Sequence, residues 1–188
     1  YNLTRIPTTA PSRGVTYLFN ELSGSTTFKN INVMMDEYAT TLLYQADWGT
    51  TYGATFENIT FNGKKDKYEV NNNNFGFVVA SALYTPENSE KITTYTFKSI
   101  TNNVSVENGG TCTGFVVGSG PCFNSQTAMI YENCVNNAMI IGGSKVGFLY
   151  GNPAYIDCMA ETNSTITVNN CVNKSILLSV ADNANVAF

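Results

Sequence analysis

The chain holds 188 residues, enough for one domain with a substantial core. Charged residues are only 13% of it, about half the usual share, with 14 acidic against 10 basic residues and no basic run beyond Lys64-Lys65. That balance leaves no electrostatic footprint for nucleic acid, and the absence of histidine removes Ser-His-Asp, Cys-His and histidine-metal chemistry at once.

Residues 1–27 form a lead that does not repeat. Pro7 and Pro11 lie in it and suit an extended arm or cap over the open edge of whatever sheet follows. The lead begins without Met and holds no signal peptide, so a mature or excised fragment is expected. From Phe28 onward one pattern recurs: bulky apolar, polar, Asn, small or branched apolar. It reads Phe28-Lys29-Asn30-Ile31, Phe56-Glu57-Asn58-Ile59, Phe97-Lys98-Ser99-Ile100, Tyr131-Glu132-Asn133-Cys134 and Val168-Asn169-Asn170-Cys171, with Ser once in the place of Asn. A second mark follows three of these: Gly76-Phe77-Val78-Val79, Gly114-Phe115-Val116-Val117 and Gly147-Phe148-Leu149-Tyr150. Two marks in a constant order, with starts 28 to 41 residues apart, indicate a repeat array.

The local period says what kind of array. The segments GATFENITF, TYTFKSITNNVSV and STITVNNCV alternate apolar and polar residues and are rich in Thr, Val, Ile, Phe and Tyr, which is the signature of half-buried strands. Only Ala39–Ala46 comes near a helical pattern, and it is short. Strands separated by Asn and Gly predict an all-β chain, a parallel β-helix (β-solenoid) of about five coils, stacked roughly 4.7–4.9 Å apart. The coils occupy 28–188 and start near 28, 56, 97, 131 and 168. At their corners Asn30, Asn58, Asn133 and Asn170 tolerate a left-handed backbone. Their amides are placed to form a structural ladder that satisfies groups water cannot reach. Phe28, Phe56, Phe97 and Tyr131 are expected inside as an aromatic column, and Lys29, Glu57, Lys98 and Glu132 outside as a column of alternating charge.

Asp36–Tyr52 is the stretch richest in functional side chains. It carries Trp48, the only Trp, with Tyr44, Tyr52 and Asp47. Aromatic faces beside carboxylates are what a sugar-binding groove uses. Lys64–Asn74 and Tyr84–Thr94 read as solvated loops inserted between strands. Five cysteines give an odd count. Cys112 and Cys122 flank a Gly- and Pro-containing turn and are the disulfide candidate. Cys134 and Cys171 take equivalent places in successive coils, where a Cβ separation near 4.8 Å exceeds the roughly 3.5–4.5 Å of a relaxed bridge. They are expected to stay reduced. Of the glycosylation sequons, those at Asn163 and Asn2 are the best placed.

The run Asn133-Cys134-Val135-Asn136-Asn137, then Gly142-Gly143 and Val146-Gly147-Phe148-Leu149-Tyr150-Gly151, resembles GLUG-type and related right-handed β-helix repeats of large surface and secreted proteins of bacteria and protists. Phe148 stands where that pattern has its second Gly. The resemblance covers residues 56–178. It implies a right-handed β-helix on a cell-surface or secreted chain, and it supplies no catalytic residues.

A glycosidase needs two carboxylates roughly 5–10 Å apart. Asp36 with Asp47 and Glu57 with Glu132 are the available pairs, and the second pair reads better as part of the charge column. No CxxC motif and no histidine means no metal site and no cofactor is expected. No apolar run approaches the roughly 18 residues of a membrane span. The expected function is a non-enzymatic structural or adhesive module of an extracellular or cell-surface assembly. Its partners would be like chains or other surface proteins, met through the coil edges, because Val168–Phe188 ends without a polar cap and an uncovered edge invites another chain or a continuation of this one. The alternative is a carbohydrate-binding or carbohydrate-cleaving β-helix that uses residues 36–52, with glycans as partners.

Overall fold

The computed structural model describes residues 1–7, 9–22, 24–46, 53–81, 83, 92–119, 126–152, 164–181 and 185–187. Every regular element among them is a β-strand, and every pairing is parallel. The first part of the chain forms β1 (Asn2–Leu3), β2 (Val15–Leu22), β3 (Thr26–Met35) and β4 (Ala39–Ala46). Next come β5 (Gly53–Gly63), β6 (Lys67–Val70), β7 (Asn74–Gly76), β8 (Thr93–Asn102), β9 (Ser105–Asn108) and β10 (Cys112–Gly114). The last part holds β11 (Thr127–Glu132), β12 (Val135–Asn136), β13 (Ile140–Gly142) and β14 (Lys145–Gly147). It closes with β15 (Thr165–Asn169), β16 (Val172–Asn173), β17 (Leu177–Ser179) and β18 (Asn185–Ala187).

Three ladders organise these strands. The longest runs β1-β3-β5-β8-β11-β15, with β12 pairing β8 and β16; the second runs β6-β9-β13-β17 and the third β7-β10-β14-β18. From β5 onward the chain therefore passes from the long sheet to the second ladder and then the third, and after β7 and β10 it returns beside the strand it left. The lead is built into this scheme: β1 lies on β3, and β2 pairs β4 along Val15↔Ala39 to Leu22↔Ala46. Leu43, Val79, Val117 and Tyr150 form a further line of parallel bridges.

Alternation sets which side chains go inside. In β5 the apolar Ala54, Phe56, Ile59 and Phe61 are buried while Glu57 and Asn58 face outward. Register then aligns like with like: Phe28↔Phe56, Phe56↔Phe97, Tyr131↔Phe97 and Tyr131↔Val168. The rings stack at centroid separations of 5.2, 5.1 and 5.0 Å, with interplanar angles of 5°, 2° and 12°. Such offset stacks add to the area buried. Outside the same strands, Lys29 meets Glu57 at 3.0 Å and Lys98 meets Glu132 at 3.9 Å. These exposed pairs contribute little, about 0–1 kcal/mol each. Gly76, Gly114 and Gly147 are in register in the third ladder. A Cβ on Gly114 would lie 1.9 Å from the Val117 carbonyl oxygen, so only glycine lets the chain turn that closely upon itself.

Two segments refine the sequence reading, and the second corrects it. Ala39–Ala46, the nearest helical candidate, is strand β4; Leu42 and Leu43 are both buried because β2 lies on one edge of it and residues 77–79 on the other. Lys64–Asn74 is not simply a solvated loop. Its Lys-Tyr-Glu-Val core has strand period and forms β6, with Tyr68 and Val70 buried and Lys67 and Glu69 exposed. The Tyr68 hydroxyl donates to the Met35 carbonyl at 2.9 Å and accepts from the Lys64 N–H at 3.0 Å, which folds the two lysines back over β3. Of Tyr84–Thr94, residues 84–91 lie outside the described residues, and Thr93 opens β8.

Candidate functional site

The residues expected at the corners share one backbone conformation. Asn30, Asn58, Ser99, Asn133 and Asn170 have φ of 59°, 54°, 54°, 54° and 52°, the left-handed region that Asn reaches at low cost. Asn58 donates from Nδ2 to Oδ1 of Asn30 at 2.7 Å. Ser99, which has no amide, stands between Asn58 and Asn133, and all four Asn side chains are exposed. The expectation that these amides serve groups beyond the reach of water is therefore corrected.

The buried amide row lies three residues further on. Asn102 donates to Oδ1 of Asn136 at 2.8 Å, and Asn136 donates to Oδ1 of Asn173 at 2.8 Å. Asn102 and Asn136 are fully buried. Each also closes a loop on its own backbone: Asn102 accepts from the Val104 N–H at 2.9 Å and donates to the Val104 carbonyl at 3.0 Å. A third, exposed row runs Asn137 to Asn103 (2.8 Å), Asn103 to Asn62 (3.0 Å), Asn62 to Asn32 (2.8 Å) and Asn32 to Asn2 (3.0 Å). Sequence reading missed both rows. The signal was present in the doubled Asn102-Asn103 and Asn136-Asn137, one residue of each pair facing in and the next facing out.

Between the lead and β4 lies a cleft of about 270 Å³ lined by Pro11, Ser12, Arg13, Tyr17, Asn20 and Tyr44, among others. The Tyr17 and Tyr44 rings stand 5.0 Å apart at 60°. Arg13 donates to Oδ1 of Asn72 at 3.0 Å, and Nδ2 of the same Asn72 donates to the Tyr17 hydroxyl at 2.7 Å. Burial pushes the Tyr17 phenol up, with Tyr44 nearby adding to the effect and the Asn72 hydrogen bond and Arg13 opposing it. Of the sugar-site residues named from the sequence, only Tyr44 belongs to this cleft. Asp47, Trp48 and Tyr52 lie outside the described residues, and Asp36 is paired with Lys64 at 3.0 Å.

The other named residues are scattered. Asn2 is exposed on β1, where it accepts from Asn32. Asn163 and Cys122 lie outside the described residues. Cys112 carries a free, buried thiol at the start of β10, pushed up by burial and held down in part by Lys145. Cys134 and Cys171 are also free thiols. Burial, reinforced by Cys171, pushes Cys134 from an ordinary 9.0 up to about 12, so this sulfur is an inert thiol rather than a nucleophile.

The end of the ladders has a different character. Val168 and Val186 are 42% and 53% exposed, although their register partners Tyr131 and Val146 are buried at 0% and 1%. No other described strand lies on the far side of β15, β17 or β18. Among the described residues no group of three or more His, Cys, Asp or Glu side chains is arranged to hold a metal ion. No helix there is long and apolar enough to cross a membrane. Comparison with known proteins adds no assignment: no family model, no curated protein and no solved structure matches the chain.

Proposed function

We propose that the chain is a right-handed parallel β-helix of about five coils that acts as a non-enzymatic structural or adhesive module of an extracellular or cell-surface assembly. It joins like chains or other surface proteins through its coil edges. The observation that carries this reading is the exposure of Val168 and Val186 at positions where the preceding strands bury Tyr131 and Val146. Open parallel edges with apolar inward columns invite another strand layer. The GLUG-type resemblance of residues 133–151 belongs to the same proposal, and so does the handedness.

Light scattering of the intact chain across a concentration range, with and without polysaccharides, tests it. The expected result is a mass that grows with concentration, ignores added sugar and returns to that of one chain in a Val168→Lys/Val186→Lys variant. A wild-type chain that stays monomeric throughout, or association that the double variant leaves unchanged, sinks the proposal.

A further inference from the structure

Beyond that structural role, we propose that the cleft formed by Arg13, Tyr17 and Tyr44 binds an acidic sugar, a uronate-type pyranose whose carboxylate meets Arg13 and whose ring lies against the two tyrosines. The chain has two arginines, Arg5 and Arg13; Arg13 lines the cleft, and both are tied to Tyr17. The Arg5 guanidinium donates to the Tyr17 carbonyl, and Arg13 reaches the Tyr17 hydroxyl through Asn72. Among the described residues, Arg13 is the only charged one that lines the cleft. An anion entering it meets no carboxylate among the described lining residues, and the planar guanidinium has further N–H groups to offer as a fork.

The frame is built rather than incidental. The turn that presents Ser12 and Arg13 is closed by the Gly14 N–H on the Pro11 carbonyl at 3.0 Å, and the Arg13 carbonyl accepts from the Asn71 N–H at 2.9 Å. Gly14 has φ +69°, and a Cβ there would lie 2.5 Å from the Glu69 carbonyl oxygen, so the turn is seated directly against β6. Asn72, which links Arg13 to Tyr17, is 4% exposed. It is held in turn by Asn108, which accepts from the Asn72 N–H at 3.0 Å and donates to the Asn72 carbonyl at 2.9 Å. Cation and ring are thus fixed relative to each other before any ligand arrives, which limits the ordering cost of binding.

Size and surface select the ligand class. A cleft of about 270 Å³ falls just under the roughly 300 Å³ at which pockets for drug-sized molecules begin, which suits a single ring. The Tyr17 and Tyr44 rings, packed on each other at 60°, both line the cleft and give it apolar surface for the C–H face of a pyranose, and Ser12 and Asn20 in the same lining supply hydroxyl and amide partners. An acidic peptide would bring a carboxylate but no rigid apolar face for the rings.

Isothermal titration of the full chain with methyl glucuronoside, methyl glucoside and acetate tests the assignment, at a concentration where light scattering gives the mass of one chain. The outcome is then independent of edge association. The glucuronoside is expected to bind at least about tenfold tighter than the glucoside, as a charge-assisted pair requires, and to weaken with added salt. Arg13→Gln should bring the two sugars to equal affinity. Tyr44→Ala should weaken both, and Tyr44→Phe should restore them, which assigns the loss to the ring and not to the hydroxyl. Equal binding of the two sugars by the wild type, binding of neither, acetate as tight as the glucuronoside, or a preference that survives Arg13→Gln would each overturn the proposal.

Discussion

Tyr131 and Val168 occupy the same position in neighbouring strands, yet one is fully buried and the other is 42% exposed. Val146 and Val186 repeat the contrast with identical side chains, 1% against 53%. Nothing in the residues explains this. In a parallel stack an inward side chain is sealed by the layers before and after it, so burial is a property of position in the stack and not of the amino acid. The interior layers are a packed core, and the last layer is the same core cut open.

The largest test of this contrast compares Phe97→Ala with Val168→Ala. Phe97 is fully buried between the rings of Phe56 and Tyr131, so its loss should cost about 3–5 kcal/mol. Val168→Ala should cost less than about 1 kcal/mol. Urea unfolding of both variants measures the gap, and equal midpoints would mean that the end layer is as sealed as the middle. The second test sets the buried amide row against the exposed one. Asn136→Ala removes the partner of one buried Asn102 N–H and of the half-buried Asn173 side-chain oxygen, and should cost about 2 kcal/mol. Its sequence neighbour Asn137→Ala loses one water-exposed bond, and about 0.5 kcal/mol is expected. Similar losses from the two, read by thermal denaturation, would remove the distinction between the rows.

The smallest effect is a pH slope. The folded state holds the Cys134 proton up to about 12 against an ordinary 9.0, so above pH 9 the unfolded chain ionises first. Stability from this group is complete below pH 9 and is lost as the pH climbs toward 12. Buried Tyr95 and Tyr131, also raised, act in the same direction. Cys134→Ala should therefore flatten the alkaline limb, by about 1 kcal/mol at pH 10. An unchanged limb would place the slope on the tyrosines alone.

The strand layers were legible in the sequence because a period of two and a bulky residue before each corner survive translation into space. Phe28, Phe56, Phe97, Tyr131 and Val168, aligned by pattern alone, are aligned by register too. What the pattern could not reveal depends on contacts between distant segments. Lys64–Asn74 looked solvated because its charges outnumber its core residues, and Tyr68 is buried with its hydroxyl on the Met35 and Asp36 carbonyls at the end of β3. The cleft was invisible for the same reason. Pairing of β2 with β4 brings Tyr17 to Tyr44, and Asn72 arrives from the segment read as loop. Only Tyr44 was within reach of sequence reasoning, through the aromatic enrichment of its neighbourhood.

The two longer asparagine rows run in opposite senses. Asn102 and Asn136 donate toward the end of the chain, while Asn137, Asn103, Asn62 and Asn32 donate toward its beginning. An amide carries a dipole of about 3.5 D, and a single row would build a field along the stack with every layer added. Side by side and opposed, the rows oppose each other's fields where they overlap. Only the layers of Asn102-Asn103 and Asn136-Asn137 carry both amides, so only there does one row offset the other, while Asn62, Asn32 and Asn2 extend a single row toward the beginning of the chain.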